Sequence, residues 1–289
     1  MSQDRFTRFF ISRLSPEGLR GTPGNRSLFA LPMDLLLLAS ATILFAVNFA
    51  LVFTQVARGH FRVTVPGLVI MASAFAIQCS FLWQRGQWSS RCPITSSGEV
   101  LVFVSWAMVL WYFLLGSTYR MSLLGLLTSG LAAFLQGLAL LPGMIPPPNT
   151  GPRAKVDPWI ELHGSLSLLA YGAFGVAALA GILFIIHDRQ LKKRPPPRVF
   201  LHLPPITHLF RAMMLVLTLG CIMLAAGMAA GYFTPTKPSG SKHLVSYIVL
   251  GVYAAVIAMR WAGTSHRRVA AGAAGGFVLA VLSLWVFSR

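Results

Sequence analysis

Two histidines stand at the edges of long apolar runs. His163 follows Asp157-Pro158-Trp159-Ile160-Glu161-Leu162 and precedes a stretch that stays apolar or small through Ile186. His243 opens another run, which reaches Trp261, and Lys242 stands directly before it. An imidazole can ligate a metal, titrate near neutrality or hydrogen-bond a carbonyl. Two imidazoles near the starts of neighbouring apolar helices, at one membrane face, suit ligation of haem iron, because an apolar bundle offers the surface a porphyrin needs. Lys242, and Lys155 ahead of His163, carry the charge to pair with haem propionates. The plainer reading of each histidine is an interfacial side chain bonded to a carbonyl or a lipid headgroup. The other histidines, His60, His187, His202, His208 and His266, lie among Arg and Lys and read as solvated loop or helix-end residues.

The elements that hold the pair must be membrane helices. The 289 residues are 55% hydrophobic and 11% charged, whereas soluble domains carry about a quarter charged residues. Eight apolar segments follow one another: Met33–Val56, Val65–Trp83, Gly98–Tyr119, Met121–Leu141, Trp159–Ile186, Ile206–Phe233, His243–Trp261 and Val269–Phe287. Most approach the length of about 20 residues that crosses a bilayer. The expected architecture is therefore an all-α polytopic membrane bundle of about eight transmembrane helices, occupying residues 33–289. Residues 1–32 form a basic tail. In it Phe6, Phe9, Phe10 and Leu14 recur at helical spacing between Arg5, Arg8 and Arg13, a pattern that fits a helix lying on the membrane surface and equally a disordered tail. The fifth segment carries its own boundaries: Asp157 suits the N-cap and Pro158 the first helical position. Trp159 suits the lipid–water interface.

The net charge of +17 belongs to short loops and argues for membrane orientation rather than for nucleic acid. Five Lys and Arg lie between the fifth and sixth segments, with Arg211 near the start of the sixth, and two lie between the sixth and seventh. The positive-inside rule then puts the first of these connections in the cytoplasm, and both His163 and His243 outside. The arginine-rich tail conflicts with an outside N-terminus and leaves its side open. Cys79, Cys92 and Cys221 make no C-x-x-C pair, so a disulfide framework, zinc and thiol redox chemistry are not expected. No Walker, G-x-S-x-G, H-E-x-x-H or dinucleotide motif occurs. Ala173, Ala177 and Gly181 in the fifth segment, with Gly220, Gly227 and Gly231 in the sixth, predict close helix approach. Asp34, Asn48, Gln55, Gln78, Glu99 and Gln136 look too scattered for a proton relay, and Asp34 and Glu99 read as helix caps.

Several stretches of the chain, in this order and spacing, resemble the cytochrome c assembly protein family, the haem-handling membrane proteins of the CcsA/CcmC type, and most nearly its shorter HemX- and YpjD-like members. They are Arg91-Cys92-Pro93-Ile94-Thr95 with Glu99 and Trp106; His163 with Leu168, Tyr171, Ala173 and Phe174, running to Gln190-Leu191-Lys192; Leu203-Pro204-Pro205-Ile206 through Gly231; and Lys242 through Tyr253 to Arg267-Arg268. The likeness covers most of residues 90–289. It places His163 on a family haem-ligand position and Lys242 on a matching lysine. His243 is a proposal from this sequence alone. Trp159 and Tyr171 complete the candidate haem-contacting set. The tryptophan-rich outer loop of the family's haem synthases has no counterpart between Thr234 and Lys242, and Ala258 and Met259 stand where those members carry a histidine.

The resemblance implies a multi-pass protein of the cell's inner membrane that binds, presents or exports haem at the outer face during cytochrome c biogenesis. Its cofactor would be a transiently bound b-type haem, and its partners apocytochrome c and maturation proteins within the lipid bilayer. An accessory role is expected rather than that of a self-sufficient enzyme. The alternative is a membrane scaffold or regulator of haem metabolism that no longer binds haem. A small-molecule permease is disfavoured, because no pair of discontinuous helices is evident.

Overall fold

A computed structural model describes residues 33–58, 65–119, 122–147, 157–192, 206–234 and 240–287 of the chain; within these, side chains 116–119, 122, 240–243 and 284–287 lie outside the description. The basic tail over 1–32, with its candidate surface helix, also falls outside the described residues, as does Lys155.

The described chain is an all-α polytopic bundle of eight helices: α1 Met33–Ala57, α2 Val65–Ser89, α3 Ser97–Tyr119, α4 Ser122–Ala139, α5 Pro158–Leu191, α6 Ile206–Tyr232, α7 Gly240–Trp261 and α8 His266–Phe287. Among the described residues, α1, α2, α3, α5, α6 and α7 contain apolar stretches long enough to cross a membrane, while α4 holds a shorter one, Leu123–Ala139. Helices are forced by the medium, because a backbone in hydrocarbon must bond to itself. Two of them outrun their apolar segments. The second continues six residues past Trp83 to Ser89, and the fifth continues past Ile186 to Leu191. At the fifth, Lys192 bonds Asp188 one turn back at 2.7 Å, the helical spacing that favours such pairs.

The central helix is α5, which packs against α3, α6 and α8. Hydrocarbon supplies no hydrophobic force between helices, so close backbone approach and van der Waals contact must hold them. Small residues permit this. A methyl on Gly172 would lie 2.4 Å from Cβ of Ala107 in α3, and one on Gly181 would lie 2.8 Å from the Ala270 carbonyl in α8. One core joins these helices, with Phe174 of α5 stacked on Tyr253 of α7 at 3.8 Å between ring centres.

The other half of the bundle is held by polar groups. Arg85 of α2 sits between Asp34 of α1, at 3.2 Å, and Glu99 of α3, at 2.7 Å. Its other contact is the Pro146 carbonyl beyond α4, at 2.9 Å. Deeper in, Gln78 of α2 donates to the Val102 carbonyl and to Ser105 Oγ of α3. Gln136 of α4 donates to the same Ser105 Oγ, and Thr42 of α1 meets Gln136 Oε1 at 3.0 Å. The expectation that these polar residues are scattered, with Asp34 and Glu99 as caps, is corrected. Residues far apart in sequence converge because antiparallel neighbours bring the start of one helix to the end of the next. Asp34 serves as a counter-ion, not a cap. Glu99 does both: Oε2 accepts from the Thr95 amide and hydroxyl, while Oε1 faces Arg85.

Candidate functional site

The site is built on the first turns of α5. Asp157 caps the helix, its carboxylate accepting from the Trp159 amide at 2.8 Å, and Pro158 takes the first helical position. Capping of this kind stabilises a helix start by about 1 kcal/mol. Glu161, in the same turn, accepts from the Cys92 amide at 3.1 Å. This bond ties the α2–α3 connection to the start of α5. Ile94 of that connection packs where a side chain on Gly164 would go. The Arg85 cluster and the His163 turn therefore stand at the same end of the bundle.

His163 leans on α6. Its Nδ1 lies 2.7 Å from the carbonyl oxygen of Gly227. A carbonyl oxygen can only accept, so Nδ1 carries the hydrogen, and in the neutral ring Nε2 keeps its lone pair. The ring comes this close because Gly231 has no side chain: a methyl there would sit 3.0 Å from Nδ1. Gly227 does the same one turn earlier, where a methyl would meet Ser167 Oγ at 2.9 Å and the His163 carbonyl at 3.3 Å. The glycines expected to serve helix packing thus also seat this histidine, a role their spacing alone does not reveal.

The remaining candidates separate. Trp159 lies one turn before His163, is 43% exposed, and its ring packs tilted against that of Phe233 just after α6, with 4.9 Å between ring centres. It extends the His163 face outward. Tyr171 lies eight residues further into α5, about 12 Å along the axis. It is buried, and its hydroxyl pairs with Ser283 of α8 at 2.8 Å. The structure gives Tyr171 a packing place away from the His163 turn. Lys242 and His243 stand in the first turn of α7, at the bundle end where α6 finishes. Their side chains lie outside the described ones, so the His163–His243 pairing is left to experiment. Tyr232 of α6 and Tyr247 of α7 meet through their hydroxyls and tie these helices together at that end.

A family model, described as "Cytochrome C assembly protein", matches residues 96–288, about two thirds of the chain. The chain belongs to the cytochrome C assembly protein family. Its similarity to Protein NrfI of Wolinella succinogenes is 29% identity over 253 residues, covering 83% of this chain and 26% of NrfI. Similarity to the cytochrome c biogenesis protein CcsA of Microcystis aeruginosa is 28% over 129 residues, covering 43% of this chain and 39% of that protein. Protein HemX of Brevibacillus brevis is 21% identical over 230 residues, 75% of this chain and 82% of HemX. The chain thus spans about a quarter of NrfI and two fifths of CcsA.

The cytochrome C assembly match takes in α3 to α8, and so His163, its glycines on α6, and Glu99. Both α1 and α2, with Asp34 and Arg85, precede it. The ion cluster therefore joins two further helices to the family core. As a member of this family the protein is a multi-pass membrane protein.

Proposed function

We propose that this protein takes part in cytochrome c biogenesis by holding haem as transient cargo at the His163 end of the bundle and presenting it to apocytochrome c, together with maturation partner proteins. The observation that carries this reading is the Nδ1–Gly227 bond, which leaves Nε2 as the free donor atom. Ligating histidines are commonly fixed in this way, with the second ring nitrogen bonded to a carbonyl. The donor set thus fits haem iron. His163 would ligate it, His243 would be the second ligand, Trp159 would supply an aromatic surface and Lys242 a partner for propionates. The positive-inside bias supports an outward-facing position of this end in the inner membrane, toward the periplasm or exterior.

A second reading is a membrane scaffold of haem metabolism that does not bind haem. The Gly227 bond favours it in one respect, since it also satisfies a purely structural histidine. Absorbance separates the two. Protein purified from haem-replete cells should show a Soret band, and His163→Ala should insert normally yet lose both that band and cytochrome c maturation. Haem-free wild-type protein, with normal maturation by His163→Ala, would establish the scaffold instead.

A further inference from the structure

We infer that the end of the bundle opposite His163 holds the phosphate headgroup of an anionic phospholipid, in a basic corner made by the start of α6, the end of α7 and the start of α8. These helices meet there around one ring. Phe210 of α6 packs against Phe184 of α5 at 5.4 Å between ring centres, and against the edge of His266 of α8 at 4.3 Å. The Arg260 guanidinium of α7 stands 5.8 Å from the centre of the same ring. Arg211 follows Phe210 in the chain, and Arg267 and Arg268 follow His266. Arg211, Arg260, Arg267 and Arg268 are all exposed.

Among the described residues no carboxylate answers this charge. Asp34, Glu99, Asp157 and Glu161 stand at the His163 end. Asp188, near the end of α5, is bonded to Lys192 at 2.7 Å. Arg267 and Arg268 also lie in the first turn of α8, where the helix dipole is positive and favours anions over cations. The positive-inside rule asks only for Lys and Arg in short connections. It does not call for basic side chains from separate helices around one aromatic ring. A bound anion offsets their mutual repulsion, and the arginine fork matches the oxygens of a phosphate.

The surface beneath the corner points to an anion that carries acyl chains. Arg211 shares its face of α6 with Leu215 and Ile222, both exposed. This helix is long and apolar enough to cross a membrane, so these side chains face hydrocarbon in the bilayer. Trp261, beside Arg260, is 87% exposed, as suits an aromatic side chain at the lipid–water boundary. The arginines therefore stand at headgroup depth, above a lipid-facing surface. Basic pockets between helix ends, on the cytoplasmic side to which the Lys/Arg bias assigns this end, are where anionic headgroups bind. The inference is independent of haem binding at His163.

The test uses the full chain purified in a neutral detergent, with its melting temperature followed as lipid is titrated. Phosphatidylglycerol should raise the melting temperature saturably, and phosphatidylcholine with the same acyl chains should not. Equal effects of the two lipids overturn the proposal without any variant. Glycerol 3-phosphate, which has the headgroup chemistry and no chains, should not replace the lipid. If it stabilises the protein as well as phosphatidylglycerol does, the ligand is a free phosphate and the lipid reading ends. Arg260→Gln, Arg267→Gln and Arg268→Gln together should weaken phosphatidylglycerol binding by about tenfold or more, because each basic group at the membrane surface adds to the attraction. Removing as many charges from the end of α5, by Arg189→Gln, Lys192→Gln and Lys193→Gln, should leave the affinity near that of the unaltered protein. A smaller loss in the first variant, or an equal loss in the second, would make binding a matter of net charge and overturn the corner as its site.

Discussion

His163 and Gly227 are joined by a 2.7 Å contact from Nδ1 to a main-chain carbonyl on the neighbouring helix. The bond sets the tautomer, aims the ring, and crosses between α5 and α6 where both backbones run close. It exists only because α6 presents glycine at 227 and again at 231.

Adding a methyl at Gly231 should therefore disturb the ring without harming the helix. The new Cβ would stand 3.0 Å from Nδ1 and 3.4 Å from Cε1 of His163, so the imidazole must turn. Alanine is the better helix former, so insertion and melting temperature should hold. Outer-shell changes of this type weaken ligation by roughly 10–100-fold. Haem titration of Gly231→Ala followed at the Soret band should show a loss in that range, and unchanged affinity would separate His163 from ligation.

Arg85 should be worth more to stability than any single apolar residue near it. It is 4% exposed, and its partners Asp34 and Glu99 are 1% and 3% exposed. Removing one member of a buried ion cluster strands the others and costs about 3–5 kcal/mol. Arg85→Met should lower the melting temperature sharply in detergent. Combining it with Asp34→Asn and Glu99→Gln should recover much of the loss, since no charge is then left unpaired. A triple variant no better than Arg85→Met would show that shape, not charge, is what Arg85 supplies.

Cys92 should be a sluggish thiol. Burial pushes its pKa up to about 11 from an ordinary 9.0, and the nearby Glu161 and Glu99 carboxylates add to the shift by opposing a second negative charge. Only the thiolate attacks an alkylating agent. Iodoacetamide should react slowly at pH 8, and the rate should climb until the pH passes about 11. Glu161→Gln keeps an acceptor for the Cys92 amide but removes a charge, so it should move the profile to lower pH. A midpoint near 9.0 in the native protein would contradict the packing of this loop.

Sidedness can be read with an impermeant thiol reagent in intact cells. A cysteine at Lys193 should stay unlabelled and one at Ser239 should label, following the excess of Lys and Arg between the fifth and sixth segments. The opposite pattern would turn the His163 end to the cytoplasm and remove its access to apocytochrome c outside.

Much of the scaffold was legible because its signals are local. Apolar runs located the spans to within a few residues, and Asp157 with Pro158 marked the start of α5 correctly. The end of α2 was not legible. The second apolar segment ends at Trp83, yet Gln84 to Ser89 continue the helix, and Arg85 among them finds its two carboxylates inside the bundle. A lone arginine six residues before Arg91 carries no mark of that in sequence. Tyr171 likewise shares a helix with His163, but sequence gives no means of knowing that its hydroxyl meets Ser283, 112 residues away.

The amino-acid sequence by itself determined the medium, the number and order of helices, the cap of α5 and the small residues that let helices approach. Each follows from hydropathy, periodicity or the preferences of a few adjacent residues, which act over one or two turns. Only the tertiary structure decided which polar groups meet: Arg85 with Asp34 and Glu99, Gln78 and Gln136 at Ser105, and His163 with the Gly227 carbonyl. Those pairings depend on how helices distant in sequence cross and in what register. In a membrane that register is set by which buried donors and acceptors can satisfy one another, a condition on the whole bundle and not on any one segment.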